Sequence, residues 1–256
     1  MRKSDSLLWR ILKFFQVHKV YRSIKGVLPS SVVKVVGDVT LNNVYMPLIY
    51  PEALEPKQEL AWKHLLSLGV KPGDYLEFGV SSGTSMACMH RTLNKLNIKN
   101  VRLFGFDSFE GMPEIAAIED QGTWKPGQFA SPIEKTKENM TTAGIDWSRT
   151  HLIQGWFDDT LNAQTTEKFG IKKASILMVD CDIYSAAKTA LNYSLPMIID
   201  YAAVFFDDWN DDITFGEYKA YSEFLSENKH LQSEEFGTYH PTGKIFIVKN
   251  TNTISR

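Results

Sequence analysis

Two strand-like runs in this chain end on paired aspartates. "SILMVDCD" delivers Asp180 and Asp182, and "AAVFFDDW" delivers Asp207 and Asp208. Carboxylates crowded together repel, and removing an unpaired charge from water is costly or raises its pKa. A hard divalent cation relieves both problems. An all-oxygen ligand set suits Mg²⁺, with Mn²⁺ or Ca²⁺ as substitutes. Strand alternation would put Asp180 and Asp182 on one side and Cys181 on the other, toward the core. The competing reading of these aspartates is a pair of helix N-caps facing water. A DxD after an apolar strand is also the metal–nucleotide handle of many glycosyltransferases.

Two further stretches carry polar groups at strand tips. "YLEFGVSSGTS" (75–85) delivers Glu77, then Gly79, Ser82 and Gly83, and a helix opens near Thr84. Glycines let a backbone approach a ligand closely. The spacing is not the GxGxxG of dinucleotide sites. An acid before the first glycine would disfavour a phosphate and welcome a cationic amino-acid moiety. "FGFDSFEG" (104–111) places Asp107 at a second strand tip. In nucleotide-binding α/β folds an acid there accepts hydrogen bonds from ribose hydroxyls.

The elements that must hold these residues alternate. Strands are expected in "DYLEF", "NVRLFGFD", "THLIQ", "KASILMV", "YAAVFF" and "KIFIVKN", with helical stretches between most of them. A helix is expected over 52–69, with Leu60, Trp62, Leu65, Leu66 and Leu68 apolar and Gly69 as its C-cap. This alternation predicts an α/β fold with a mostly parallel sheet flanked by helices. Ligands of such sheets bind at the carboxyl ends of the strands, where the acids lie. The Pro/Gly-punctuated segment 112–132, with Trp124 and Phe129, breaks the alternation and is expected to be a lid.

Composition narrows the class. A chain of 256 residues, 43% hydrophobic and 23% charged, can bury a full core. A net charge of −2 argues against nucleic acid as a partner. Cys88 and Cys181 lie in no CxxC or Cys/His cluster, so neither a zinc site nor a disulfide framework is expected, and a cytoplasmic, reducing setting fits. Charge is uneven: residues 1–34 hold eight Lys/Arg and one acid. The run "LLWRILKFFQVHKVYRSI" has amphipathic spacing, giving a basic helix over 7–25 in an N-terminal extension, 1–44, ahead of a domain over 45–256. That helix suits docking on its own domain, a homo-oligomer partner or, peripherally, a membrane surface.

With these stretches, "GTWKPGQFASPIEKTKENM", "HLIQGWFDDTL" and "VDCDIYSAAKTAL" complete a pattern that resembles the macrocin-type sugar O-methyltransferases from about residue 45 to 215. The resemblance implies a Rossmann-like methyltransferase fold using S-adenosylmethionine (SAM) and Mg²⁺. It implies that Glu77 and Gly79 line the methionine end of SAM and that Asp107 holds the ribose, with Ser108 beside it. It places Ser131, Gly155 and Trp156 near the adenosine. It assigns Asp180, Asp207 and Asp208 to the metal and Asp182 to the role of general base. The expected acceptor is a hydroxyl of a sugar or glycosylated small molecule, with Trp124 and Phe129 of the lid stacking on it. Ser185 replaces an acid common in the family, and the lid carries no histidine. A glycosyltransferase, or a non-catalytic SAM-binding protein, are the alternative readings.

Overall fold

A computed structural model describes residues 50–210 and 214–254. The expected helix 7–25 and the 1–44 extension lie outside the described residues. The first described element is α1 (Pro51–Ser67), and Gly69 follows it at φ +76, the left-handed cap foreseen. Its buried face differs from the expectation. Leu54, Gln58, Ala61, Trp62 and Leu65 are buried, whereas Leu60, Leu66 and Leu68 are exposed. Burial follows the 3.6-residue period, and those three leucines fall off the stripe.

The chain then alternates through β1 (Asp74–Phe78), α2 (Thr84–Lys95), β2 (Leu103–Asp107), α3 (Ile133–Thr142) and β3 (Thr150–Gln154). It continues through α4 (Phe157–Thr160), α5 (Ala163–Phe169), β4 (Ala174–Val179), α6 (Tyr184–Ser194) and β5 (Tyr201–Phe206). Then come α7 (Gly216–Glu227), β6 (Leu231–His240), β7 (Gly243–Asn250) and α8 (Thr251–Ile254). The seven strands form one sheet in the order β3-β2-β1-β4-β5-β7-β6. β1 to β5 run parallel; β7 pairs antiparallel with β5, and β6 with β7. This is the Rossmann-like α/β architecture expected. β6 was not foreseen. Its sequence, "LQSEEFGTYH", is an edge strand with five of its ten residues exposed, so it lacks apolar alternation.

Each sheet face carries its own core. Tyr75, Ile176, Met178 and Phe205 pack with Trp62 and Leu65 of α1 and Met86 and Met89 of α2. Leu76, Phe78, Leu177 and Val179 pack on the other face with Leu191 of α6 and Tyr221 and Phe224 of α7. The central strands are buried on both faces, which is why they read as unbroken apolar runs. Each such large side chain contributes about 1.5–3 kcal/mol on burial. Order reverses between β1 and β4: the chain builds outward to β3 and then returns to the other side of β1. A crevice opens at such a switch, beyond the carboxyl ends of the strands.

Candidate active site at the strand carboxyl ends

The turn after β1 is built from backbone. Gly79, Ser81 and Gly83 all have positive φ, at +90, +45 and +82. Asp107 at the tip of β2 holds this turn: its Oδ2 accepts from Val80 N (2.7 Å) and Ser81 N (2.8 Å), and its Oδ1 from Phe109 N (2.6 Å). A carboxylate offers about four lone-pair sites, and three are taken by backbone N–H groups. Asp107 therefore shapes the turn, and one acceptor position remains on Oδ1.

The flanking residues converge on the same turn. Thr136 of α3 bonds Ser131 (3.0 Å) and donates to Ser81 O (2.5 Å). Ser82 Oγ lies 3.1 Å from Thr84 Oγ1. Ser108 is buried and receives Glu110 N at 3.1 Å. Gly155 donates its N–H to Asp107 O (2.9 Å) at φ +143, and Trp156 beside it is exposed. Gly79, Ser82, Gly83, Asp107, Ser108, Ser131, Gly155 and Trp156 thus gather at the carboxyl ends of β1, β2 and β3 around this turn.

Glu77 sits elsewhere. It is fully buried, and its carboxyl receives the hydroxyls of Tyr75 and Ser85, the latter at 2.5 Å. Burial raises its pKa to about 8, although those hydrogen bonds oppose the rise. It lies beneath the turn as a largely neutral acid near neutral pH, so the charge argument for a cationic ligand does not apply to it. The raised value also makes a prediction. Over the interval from about 4.3 to about 8, folded Glu77 holds a proton that the unfolded chain releases. Its contribution therefore declines as pH rises through that interval. Glu77→Gln, which keeps the acceptor oxygen, is expected to flatten the pH dependence of stability between about pH 5 and 8, as read by denaturant melts. A wild-type slope in the variant would refute a buried titrating Glu77.

The acids of β4 and β5 lie at the carboxyl ends of those strands, next to the turn after β1. Oxygens of Asp180, Asp207 and Asp208 all lie within 4.8 Å of one another. The strand ladders carry on by one residue to place them: Asp180 N donates to Phe78 O (2.9 Å) and Asp207 N to Val179 O (3.1 Å). Burial, then the charges of Asp207 and Asp208, push the Asp180 carboxyl far above the usual carboxylate range. Such an oxygen set, partly open and electrostatically overloaded, fits a divalent cation.

Asp182 reaches this cluster differently from the expectation. β4 ends at Val179, and Asp182 takes a left-handed φ of +65 before α6 begins. Strand alternation stops short of it, and a turn sets its direction. Cys181 does enter the core, packed among the apolar residues under α6 and α7. Burial and the neighbouring Asp208 raise the Asp182 carboxyl well above its ordinary value.

Three groups around the cluster had no signal in the sequence. Asp207 Oδ1 accepts from Tyr239 Oη (2.8 Å) and His240 Nε2 (2.7 Å). His240 Nδ1 accepts from Thr242 N (3.2 Å), so Nε2 carries the proton. Both residues end the unforeseen strand β6. Glu217 in the first turn of α7 is fully buried. Its Oε2 accepts Asp208 N (3.0 Å). Read alone, "GEYKAYSEFL" is an ordinary amphipathic helix, and an inward-facing first-turn acid is invisible in it.

The segment 112–132, expected to be a lid, contains two short 3-10 turns, Glu114–Ala117 and Glu119–Gly122. Met112, Ala116 and Trp124 pack with Ile183, next to Asp182, and the Trp124 and Phe129 rings lie 5.4 Å apart. Trp124 is buried in this cluster and does not present a face for stacking. Among the described residues no helix is long and apolar enough to cross a membrane.

Comparison with known proteins identifies a family and a fold. The family model described as macrocin-O-methyltransferase (TylF) matches residues 59–233. The chain is 30% identical over 147 residues to the 8-demethyl-8-(2,3-dimethoxy-alpha-L-rhamnosyl)-tetracenomycin-C 4'-O-methyltransferase of Streptomyces olivaceus, covering 55% of this chain and 54% of that one. It is 24% identical over 144 residues to the demethyldecarbamoylnovobiocin O-methyltransferase of Streptomyces niveus, covering 54% and 53%. The chain spans about half the length of these curated relatives. Among solved structures, the O-methyltransferase NovP superposes with a TM-score of 0.64 at 20% identity, covering 76% of this chain and 78% of that one. The calicheamicin methyltransferase CalS11 superposes at 0.58 and 16% identity, covering 90% and 91%. These two structures share the fold.

Proposed function

The chain belongs to the macrocin-O-methyltransferase family, and on that premise we propose that it transfers a methyl group from SAM to a hydroxyl of a sugar or glycosylated small molecule, with a divalent cation, Mg²⁺ in the first place, at the acid cluster. The observation that carries the reading is the adjacency of two features at the strand carboxyl ends. One is the glycine turn tied by Asp107, and the other is the group of Asp180, Asp207 and Asp208 with oxygens within 4.8 Å. The rhamnosyl-bearing substrate named for the Streptomyces olivaceus relative supports the acceptor class.

Each residue then has a task. Gly79 and Gly83 give close backbone access for SAM, with Ser82 at the start of α2. Asp107 offers its remaining Oδ1 position to a ribose hydroxyl, and Ser108, Ser131, Gly155 and Trp156 border the adenosine. Glu77 supports the turn from below. Asp180, Asp207 and Asp208 would hold the cation. When bound, SAM supplies an electrophilic sulfonium methyl and the cation supplies positive charge that makes a hydroxyl more acidic. Asp182 accepts the hydroxyl proton. Burial and the neighbouring Asp208 raise its pKa, which makes its ionised carboxylate a stronger base than an exposed one. The lid excludes water from the crevice.

The test is a calorimetric titration of the full chain with SAM and with UDP-glucose, each with Mg²⁺ and with EDTA. SAM binding in the micromolar range, together with a Mg²⁺ event lost in Asp207→Ala, is the expected result. Binding of the nucleotide sugar alone would overturn the reading in favour of a glycosyltransferase.

A further inference from the structure

Asp120 lies in the lid, yet it is buried and its backbone is held at φ +49. Its Oδ2 accepts the N–H of Tyr184 (2.8 Å), and its Oδ1 accepts the N–H of Gly216 (2.8 Å). Tyr184 opens α6 and Gly216 opens α7, the two helices that follow the acid-bearing strands. Both N–H groups would otherwise be orphan donors at a helix start, and a carboxylate there also meets the positive end of each dipole. Neighbouring Glu119 adds a second tie, accepting from Ser185 Oγ (2.7 Å). One lid carboxylate thus bridges two elements 64 and 96 residues away in sequence.

The bridge leads to the acid cluster. Asp182 lies two residues before Tyr184. Glu217 follows Gly216 and takes the backbone N–H of Asp208 on its Oε2 (3.0 Å). The first turn of α7 therefore connects Asp120 to Asp208 through one hydrogen bond on each side. We propose that Asp120 is a positioning residue: it latches the lid to the starts of α6 and α7 and so fixes Asp208 within the acid cluster. The latch stands on the hydrogen bonds alone; the coupling to Asp208 rests on the cation reading above.

Hydrogen exchange by mass spectrometry on the full chain, with Mn²⁺ binding followed by electron paramagnetic resonance, tests both parts. In Asp120→Ala, peptides holding residues 112–132, Tyr184 and Gly216 are expected to exchange at least tenfold faster. Peptides of β1 and β2 should be unchanged, and the Mn²⁺ dissociation constant should rise at least threefold. Asp120→Asn keeps one acceptor oxygen and should fall between Ala and the parent in both readouts, which also covers the case in which the Ala variant folds poorly. Parent-like exchange of the lid and of both helix starts would overturn the latch. A loosened lid with an unchanged Mn²⁺ constant would overturn the coupling. Failure of the parent chain to bind Mn²⁺ would overturn the cation reading and the coupling with it, while the exchange data alone would still decide the latch.

Discussion

Asp180→Asn is expected to abolish divalent-cation binding and to slow methyl transfer by at least about 10³-fold, while the metal-free protein becomes no less stable than the parent. The loss of rate corresponds to about 4 kcal/mol, the size of effect a cation exerts on developing charge. The stability side follows from repulsion. Asp180 is pushed well above the usual carboxylate range by burial and by Asp207, Asp208, Asp182 and Glu217. Its folded pKa lies above its unfolded value of about 3.9. Between the two, the folded state binds the proton that the unfolded chain has released, so stability falls as pH rises. Asn is isosteric and uncharged, and it removes that slope. Melts in EDTA from pH 5 to 8 should show the variant's stability advantage over the parent growing as pH rises. Calorimetry with Mg²⁺ should show no binding event. A variant that melts well below the parent in EDTA would mean that Asp180 is a structural acid, and the cation assignment would fall.

Gly79→Ala is expected to lose at least about 4 kcal/mol of stability, a size that single substitutions reach only through a named steric or electrostatic fault. A methyl group at this position would sit 1.7 Å from the carbonyl oxygen of Asp180 and 2.7 Å from its carbonyl carbon. Both atoms are backbone, and neither can rotate away. The residue also has φ +90, which costs a residue with a Cβ about 1–2 kcal/mol on its own. Relief requires β1 and β4 to part at the point where the glycine turn and the acid cluster meet. Gly69→Ala separates the two causes. That site has φ +76 and nothing within 4 Å of the new atom, so only the backbone strain is expected. Urea denaturation of both variants checks the comparison. Equal losses at the two positions would refute the close approach at Gly79.

Much of the architecture was legible because it is written in short-range patterns. The runs "YLEFG", "LFGFD", "SILMV" and "AAVFF" are strands buried on both faces. Alternation with helices fixed their parallel order, and the rule that ligands gather at strand carboxyl ends pointed to Asp107, Asp180, Asp207 and Asp208. The edge strand β6 is not legible because half of its residues are exposed and its apolar residues Leu231, Phe236 and Tyr239 follow no regular period.

What the sequence determined by itself is the set of elements and the acids at their ends, since both depend on neighbours a few residues apart. The tertiary structure decided what those acids touch. It put Glu77 under the turn rather than in it. It spent three of Asp107's acceptor positions on backbone N–H groups, and it set Asp182 by a positive φ instead of by strand alternation. It turned Trp124 inward and brought His240 onto Asp207 across 33 residues and Asp120 onto Gly216 across 96. A hydrogen bond depends on direction and on distances to a few tenths of an ångström. Between residues that far apart, such distances are fixed only when the sheet order and the two cores have set where each helix begins.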